Sequence, residues 1–72
     1  MAMRPNERFA ANLRKTRIEA GLSQERLARA AKLHRTEISL LERGEREPRL
    51  STIVRLANGL GVPAGALLDD LQ

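Results

Sequence analysis

The sequence predicts a single all-α domain, a compact bundle of five short helices, and three observations lead there. At 72 residues there is room for one domain and no more. Stops and caps fall at short intervals, with Gly21, Gly44, Gly61, Pro48 and Pro63 punctuating the chain. Apolar residues between them recur at helical spacing, so no segment needs to be a strand, and there is no repeat, linker or low-complexity tract.

The elements follow in order. Asn6 is expected to cap a first helix running to about Ala20, with Phe9, Leu13, Arg17 and Ala20 on one stripe and Gly21 as the stop. Ser23 is a good cap for a second helix, about 24–31. Leu22 before that cap faces Leu27 as a hydrophobic staple, and Glu25 suits the positive helix end. Only Lys32, Leu33 and His34 separate this helix from a third, about 35–43, closed by Gly44, and two short helices with so short a turn suggest a helix-turn-helix. Leu33 and Ile38 repeat the staple spacing, and Glu37 supplies half of a capping box whose other half, His34, is a poor cap. Ser51 is expected to cap a fourth helix of about 52–60 that ends at Gly61 and tolerates Gly59 inside at a cost of ~1 kcal/mol. Pro63 fits the first turn of a fifth helix, about 63–71.

Thirteen Lys and Arg against nine Asp and Glu leave a net charge of +4. The isoelectric point of about 11.1 is the range in which a nucleic-acid partner is expected. An arginine-rich surface that serves only solubility would give the same total, so the distribution of charge has to decide. Cysteine is absent and His34 is the only histidine, which removes disulfides and the common zinc-ligand patterns; no metal or cofactor is expected. A core this small supplies roughly 3–5 kcal/mol, so self-association is the expected supplement. Without a thiol, a histidine paired with a carboxylate or a Gly-rich phosphate loop, the chain is not expected to be an enzyme. One Phe and no Tyr or Trp argue against single-strand or RNA binding on aromatic platforms. Neither a signal peptide nor a membrane span of ~20 apolar residues is present, so the cytoplasm is the expected compartment.

The third helix carries the functional signal. At 100° per residue, Arg35, Thr36, Ser39, Leu40 and Arg43 fall within an arc of roughly 140°, while Ile38 and Leu41 point the other way. The free arc holds a guanidinium able to take guanine O6 and N7 together, two hydroxyls, and a leucine suited to a thymine methyl. An ordinary solvated helix face is the competing explanation.

The spacing of Leu22-Ser23-Gln24-Glu25-x-Leu27-Ala28, Ile38-Ser39-x-x-Glu42-Arg43-Gly44, Pro48 and Leu56-Ala57-x-x-Leu60-Gly61-Val62 resembles the phage-repressor and Cro-like (lambda-repressor-like) helix-turn-helix family over about 13–68. That resemblance implies a five-helix domain whose second helix crosses the DNA backbone and whose third enters the major groove of double-stranded DNA, as a homodimer on palindromic operators. Carried onto matching positions, it implies phosphate contacts from Ser23, Gln24, Arg43, Arg46 and Arg49, and base contacts from Arg35, Thr36, Ser39 and Leu40. Arg17 and Glu42 match a pair that in this family links the first helix to the third. Two positions depart from the pattern. Lys32 stands where the turn often has Gly, at a cost of roughly 1 kcal/mol if the backbone is left-handed, so the turn is expected to differ locally. His34 stands where the cap is often Ser or Asp, and is expected to sit in solvent rather than touch a phosphate.

Leu60, Val62, Leu67, Leu68 and Leu71 are more apolar surface than one short terminal helix needs, so Val62, Leu68 and Leu71, with Val54, are expected to meet a second copy. With no ligand domain in the sequence, control is expected to come from protein concentration, the DNA sites or another protein. The run His34-Arg35-Thr36-x-Ile38-Ser39 in so short a chain resembles the controller proteins of restriction-modification systems; a Cro-like phage repressor and an antitoxin-type interaction protein are the alternatives. Glu25 and Glu45 are candidate contacts to RNA polymerase, although such surface charges usually only solubilise.

Overall fold

Four α-helices, not five, carry the described residues. The computed structural model describes residues 3–71 and places α1 at Pro5–Glu19, α2 at Gln24–Ala31, α3 at Arg35–Glu42 and α4 at Leu50–Leu60. The expected fifth helix is a single 3-10 turn, Ala64–Leu67. Gly65 weakens helix there, and a segment of this length nucleates poorly. A side chain from α1 takes over the work of the missing turns: Asn12 Nδ2 donates to the carbonyls of Leu67 at 3.1 Å and Asp69 at 2.8 Å. Beyond them Asp70 turns left-handed at φ 58°, which leaves the helical path altogether.

The helix starts also shift where tertiary packing outranks a cap. Helix α1 begins at Pro5, with Arg4 rather than Asn6 at the cap, and the Glu7 carboxylate accepts the Arg4 N–H at 2.9 Å. Its last helical residue is Glu19, followed by a left-handed Gly21. Helix α4 begins at Leu50 behind Arg49, not behind Ser51. Thr52 and Ile53 lie buried on the inner face of its first turn, and burying an isoleucine contributes about 1.5–3 kcal/mol against about 1 kcal/mol for a serine cap. Helix α3 ends one residue early, with Arg43 as its cap. Helix α2 lies where its caps place it, and Ser23 Oγ accepts the Arg26 N–H at 3.0 Å.

Phe9 and Leu13 from α1, Leu27 from α2, Ile38 and Leu41 from α3, Leu56 from α4 and Leu67 fill the centre. Leu22 and Leu33, the two staple residues, are half-buried against it. Helix α2 packs on α4 and α3, while α1 packs on α3 and on the 3-10 turn. Gly59 belongs to the α2–α4 contact. A Cβ there would stand 3.1 Å from the Ala31 nitrogen and 3.2 Å from the Ala30 carbonyl carbon, so close approach of the two backbones explains a glycine inside a helix. No helix among the described residues is long and apolar enough to cross a membrane.

Candidate nucleic-acid interface

The α2–α3 turn fixes how the third helix leaves the body. Lys32 adopts φ 58°, ψ 44°, so the turn keeps its left-handed residue without a glycine and the chain carries the strain. The N–H of Leu33 closes the turn on the Ala28 carbonyl at 2.8 Å. His34, expected in solvent, caps α3: its Nδ1 accepts the Thr36 N–H at 3.1 Å. An unprotonated ring nitrogen supplies the acceptor that a serine or aspartate oxygen usually provides.

Orientation of α3 against the other helices comes from Glu42. Arg17 Nε donates to Glu42 Oε2 at 2.6 Å and Arg17 Nη2 to Oε1 at 3.0 Å, a bidentate pair whose side chains are 13% and 5% exposed. The remaining Arg17 nitrogen, Nη1, donates to the Leu22 carbonyl at 2.9 Å. Gln24 Nε2 adds a third donor to Glu42, 3.1 Å from Oε1. One carboxylate thus gathers α1, the start of α2 and the end of α3. The hydrogen bond to Glu42 raises the Arg17 pKa above its ordinary value, burial opposes the rise, and the charge of Glu42 adds to it.

This frame presents the reading arc unevenly. Arg35, Thr36 and Arg43 are exposed, Ser39 and Leu40 are half-buried, and Ile38 and Leu41 are fully buried beneath them. Arg35 and Thr36 are the exposed members of the arc at the start of the helix. Of the expected phosphate contacts, Ser23 is exposed but its Oγ is engaged as the α2 cap, and Gln24 is held on Glu42. Arg43 lies 3.5 Å from Glu45 in an exposed pair, which engages Glu45, while Glu25 is exposed.

Arg46 and Arg49 line a groove of about 680 Å³ between the α2–α3 turn and the start of α4. Arg55 also lines it, together with the acidic Glu37 and Glu47, and its Nη1 reaches the Lys32 carbonyl at 3.5 Å. Sequence reasoning missed Arg55, whose signal was its position off the Ile53, Leu56, Leu60 stripe of α4.

Leu50, Val54 and Leu68 are exposed, Leu50 at 76%. Val62 and Leu71, expected to face a second copy, are instead half-buried against the chain's own core. Leu67 takes the inward place beside Leu68. Among the described residues no three acidic, histidine or cysteine side chains lie together to hold a metal ion.

The helix-turn-helix family profile matches residues 13–67, the span from the α1 core leucine to the end of the 3-10 turn. The chain belongs to the helix-turn-helix family. Membership makes it a DNA-binding transcription regulator with the α2–α3 unit as its motif. Among its relatives in this family, the control protein C.BamHI of Bacillus amyloliquefaciens is 42% identical over 62 residues, covering 85% of this chain and 76% of that protein. The control protein C.SmaI of Serratia marcescens is 45% identical over 62 residues, covering 86% and 74%. In three dimensions the helix-turn-helix fold superposes on the crystal structure of the restriction-modification controller protein C.AhdI from Aeromonas hydrophila. The TM-score is 0.84 at 37% identity, over 86% of this chain and 94% of that one.

Proposed function

We propose that this protein is a sequence-specific reader of double-stranded DNA that acts as a homodimer on two-fold operators and controls transcription of a restriction-modification operon. The observation that carries this reading is the Glu42 hub, which holds an α3 whose exposed first side chains, Arg35 and Thr36, are the types that read base edges. Arg46 and Arg49 flank that helix in the loop toward α4, where cations grip phosphates. Leu50, Val54 and Leu68 are the faces a second copy covers, and the pairing sets two α3 helices about 34 Å apart. The restriction-modification controller protein among the solved structures and the higher identity of the two control proteins support restriction-modification control, while a phage repressor at 32% identity keeps the phage alternative as the second reading. The protein works as a binding module with no reaction of its own.

Selection of bound duplexes from a random pool tests the reading. Enrichment of two half-sites related by a two-fold axis, with centres about 10 base pairs apart, is the expected result. A pool that returns no preferred duplex removes the reading.

A further inference from the structure

His34 has two ring nitrogens, and only one of them is used inside the protein. Nδ1 accepts the Thr36 N–H at 3.1 Å, so its lone pair is free of a proton and the hydrogen of the neutral ring is on Nε2. The two nitrogens diverge across the imidazole, so a ring that turns Nδ1 back onto the α3 backbone turns Nε2–H away from it. The side chain is exposed, and Nε2 makes no hydrogen bond or ion pair among the described residues. Arg35 and Thr36, the exposed side chains at the start of the reading arc, are its immediate successors. The charged groups nearest in the chain are Lys32 and Arg35, both exposed, and Glu37, whose half-buried side chain is turned into the groove with Arg46 and Arg49.

We propose that His34 is a DNA contact in its own right, a neutral hydrogen-bond donor whose tautomer and aim are set by its role as the α3 cap. The proposal rests on α3 being the helix that meets DNA. The group that Nε2–H fits is an acceptor on the duplex, either a purine N7 or O6 edge or a phosphate oxygen. Capping and contact are then one device: the Thr36 N–H that the helix must satisfy orients the ring that the DNA meets.

Two variants of the full chain separate the roles. His34→Asn keeps a strong cap but is too short to reach past the backbone. Chemical synthesis with Nε2-methylhistidine at position 34 keeps the Nδ1 acceptor and the ring while deleting the donor. Both are measured for chemical denaturation and for binding to the selected operator, its single-base variants, and duplexes with single methylphosphonates. Denaturation midpoints close to the parent, with operator affinity lower by about three- to tenfold per half-site, are expected. A loss confined to one base pair identifies a purine edge, and a loss shared by all sequences and matched by one methylphosphonate identifies a phosphate. If both variants bind every duplex as the parent does, His34 is a cap only and the proposal is overturned. If the parent itself prefers no duplex, the reading of α3 has failed instead, and the parent alone reveals it.

Discussion

Arg17 and Glu42, 25 residues apart in sequence, meet in a two-point ion pair of which less than a sixth of either side chain is exposed. Glu42→Ala leaves the Arg17 guanidinium and the Gln24 amide facing an empty site away from water. Removing one partner of such a pair costs about 3 kcal/mol, against under about 1 kcal/mol for a surface pair. Denaturation in urea measures the difference, and a loss below 1 kcal/mol would return the two residues to loose surface charges. The raised pKa of Arg17 means that its share of stability is fully present below its ordinary value and is lost only as pH climbs through a still higher one. Mild alkali therefore leaves the arginine side of the pair intact.

Gly59 gives a prediction opposite in sign to the usual rule. In an open helix Gly→Ala stabilises by about 1 kcal/mol. Here the added methyl meets the α2 backbone at 3.1 Å, and backbone cannot swing aside like the end of a side chain. Gly59→Ala should destabilise by about 1–3 kcal/mol, the range for overpacking. A midpoint that rises instead would show that α2 and α4 are further apart than described.

Lys32→Gly relieves left-handed strain of roughly 1–2 kcal/mol while adding about 0.5–1 kcal/mol of chain entropy to the unfolded state. A net gain of a few tenths to about 1 kcal/mol is expected by thermal or chemical denaturation. Loss of stability would contradict the backbone angle at the turn.

Much of this architecture could be read in the chain, and what escaped did so for identifiable reasons. Helix α2 sits between Ser23 and Ala31 because its cap and staple are local and agree with its packing. Local signals misplaced α4, since Ser51 offers a cap that burial of Thr52 and Ile53 overrules. That error hid a surface feature as well: only with Leu50 inside the helix does it stand four residues from Val54 on one face. The 3-10 turn was read as a full helix because the partner that ends it, Asn12, lies 55 residues away. At the interface, the arc of α3 was visible from periodicity. The cap formed by His34 was not, because capping preferences describe oxygens and leave out a ring nitrogen held in one tautomer.

The apolar face supplies a test of assembly. Leu50→Glu combined with Val54→Glu replaces two exposed side chains, so folding should change little while self-association is lost. Sedimentation should show the parent as a dimer at high micromolar concentration and the variant as a monomer. A monomeric parent, with and without DNA, would dismiss the dimer.

Recognition and grip should separate at Arg35 and Arg46. Arg35 is exposed at the first turn of α3, where a bidentate contact to guanine discriminates by about 1–3 kcal/mol. Arg35→Ala should relax preference at one position in each half-site. Arg46 lies in the loop before Pro48, so Arg46→Ala should weaken all sequences alike and reduce the salt slope by about 1 per lost phosphate contact. Binding titrations on single-base variants across a range of salt would read both effects. The reverse pattern would exchange the groove and backbone faces.

The two hydrogen bonds from Asn12 span 55 and 57 residues, so they close a loop of most of the chain. That span sets an expected order of folding. Pairings between α2 and α3 are local and form at little entropic cost, whereas the turn after α4, which packs on α4 and on α1, gains its α1 contacts only by closing that long loop. Leu68 sits on that late-closing segment. A chain can thus be expected to complete its helix-turn-helix before the segment that carries Leu68, part of the proposed assembly face, is in place. On the proposed dimer, the motif that reads DNA is then expected to form ahead of the surface that pairs two copies, so that finished protomers rather than half-folded ones associate.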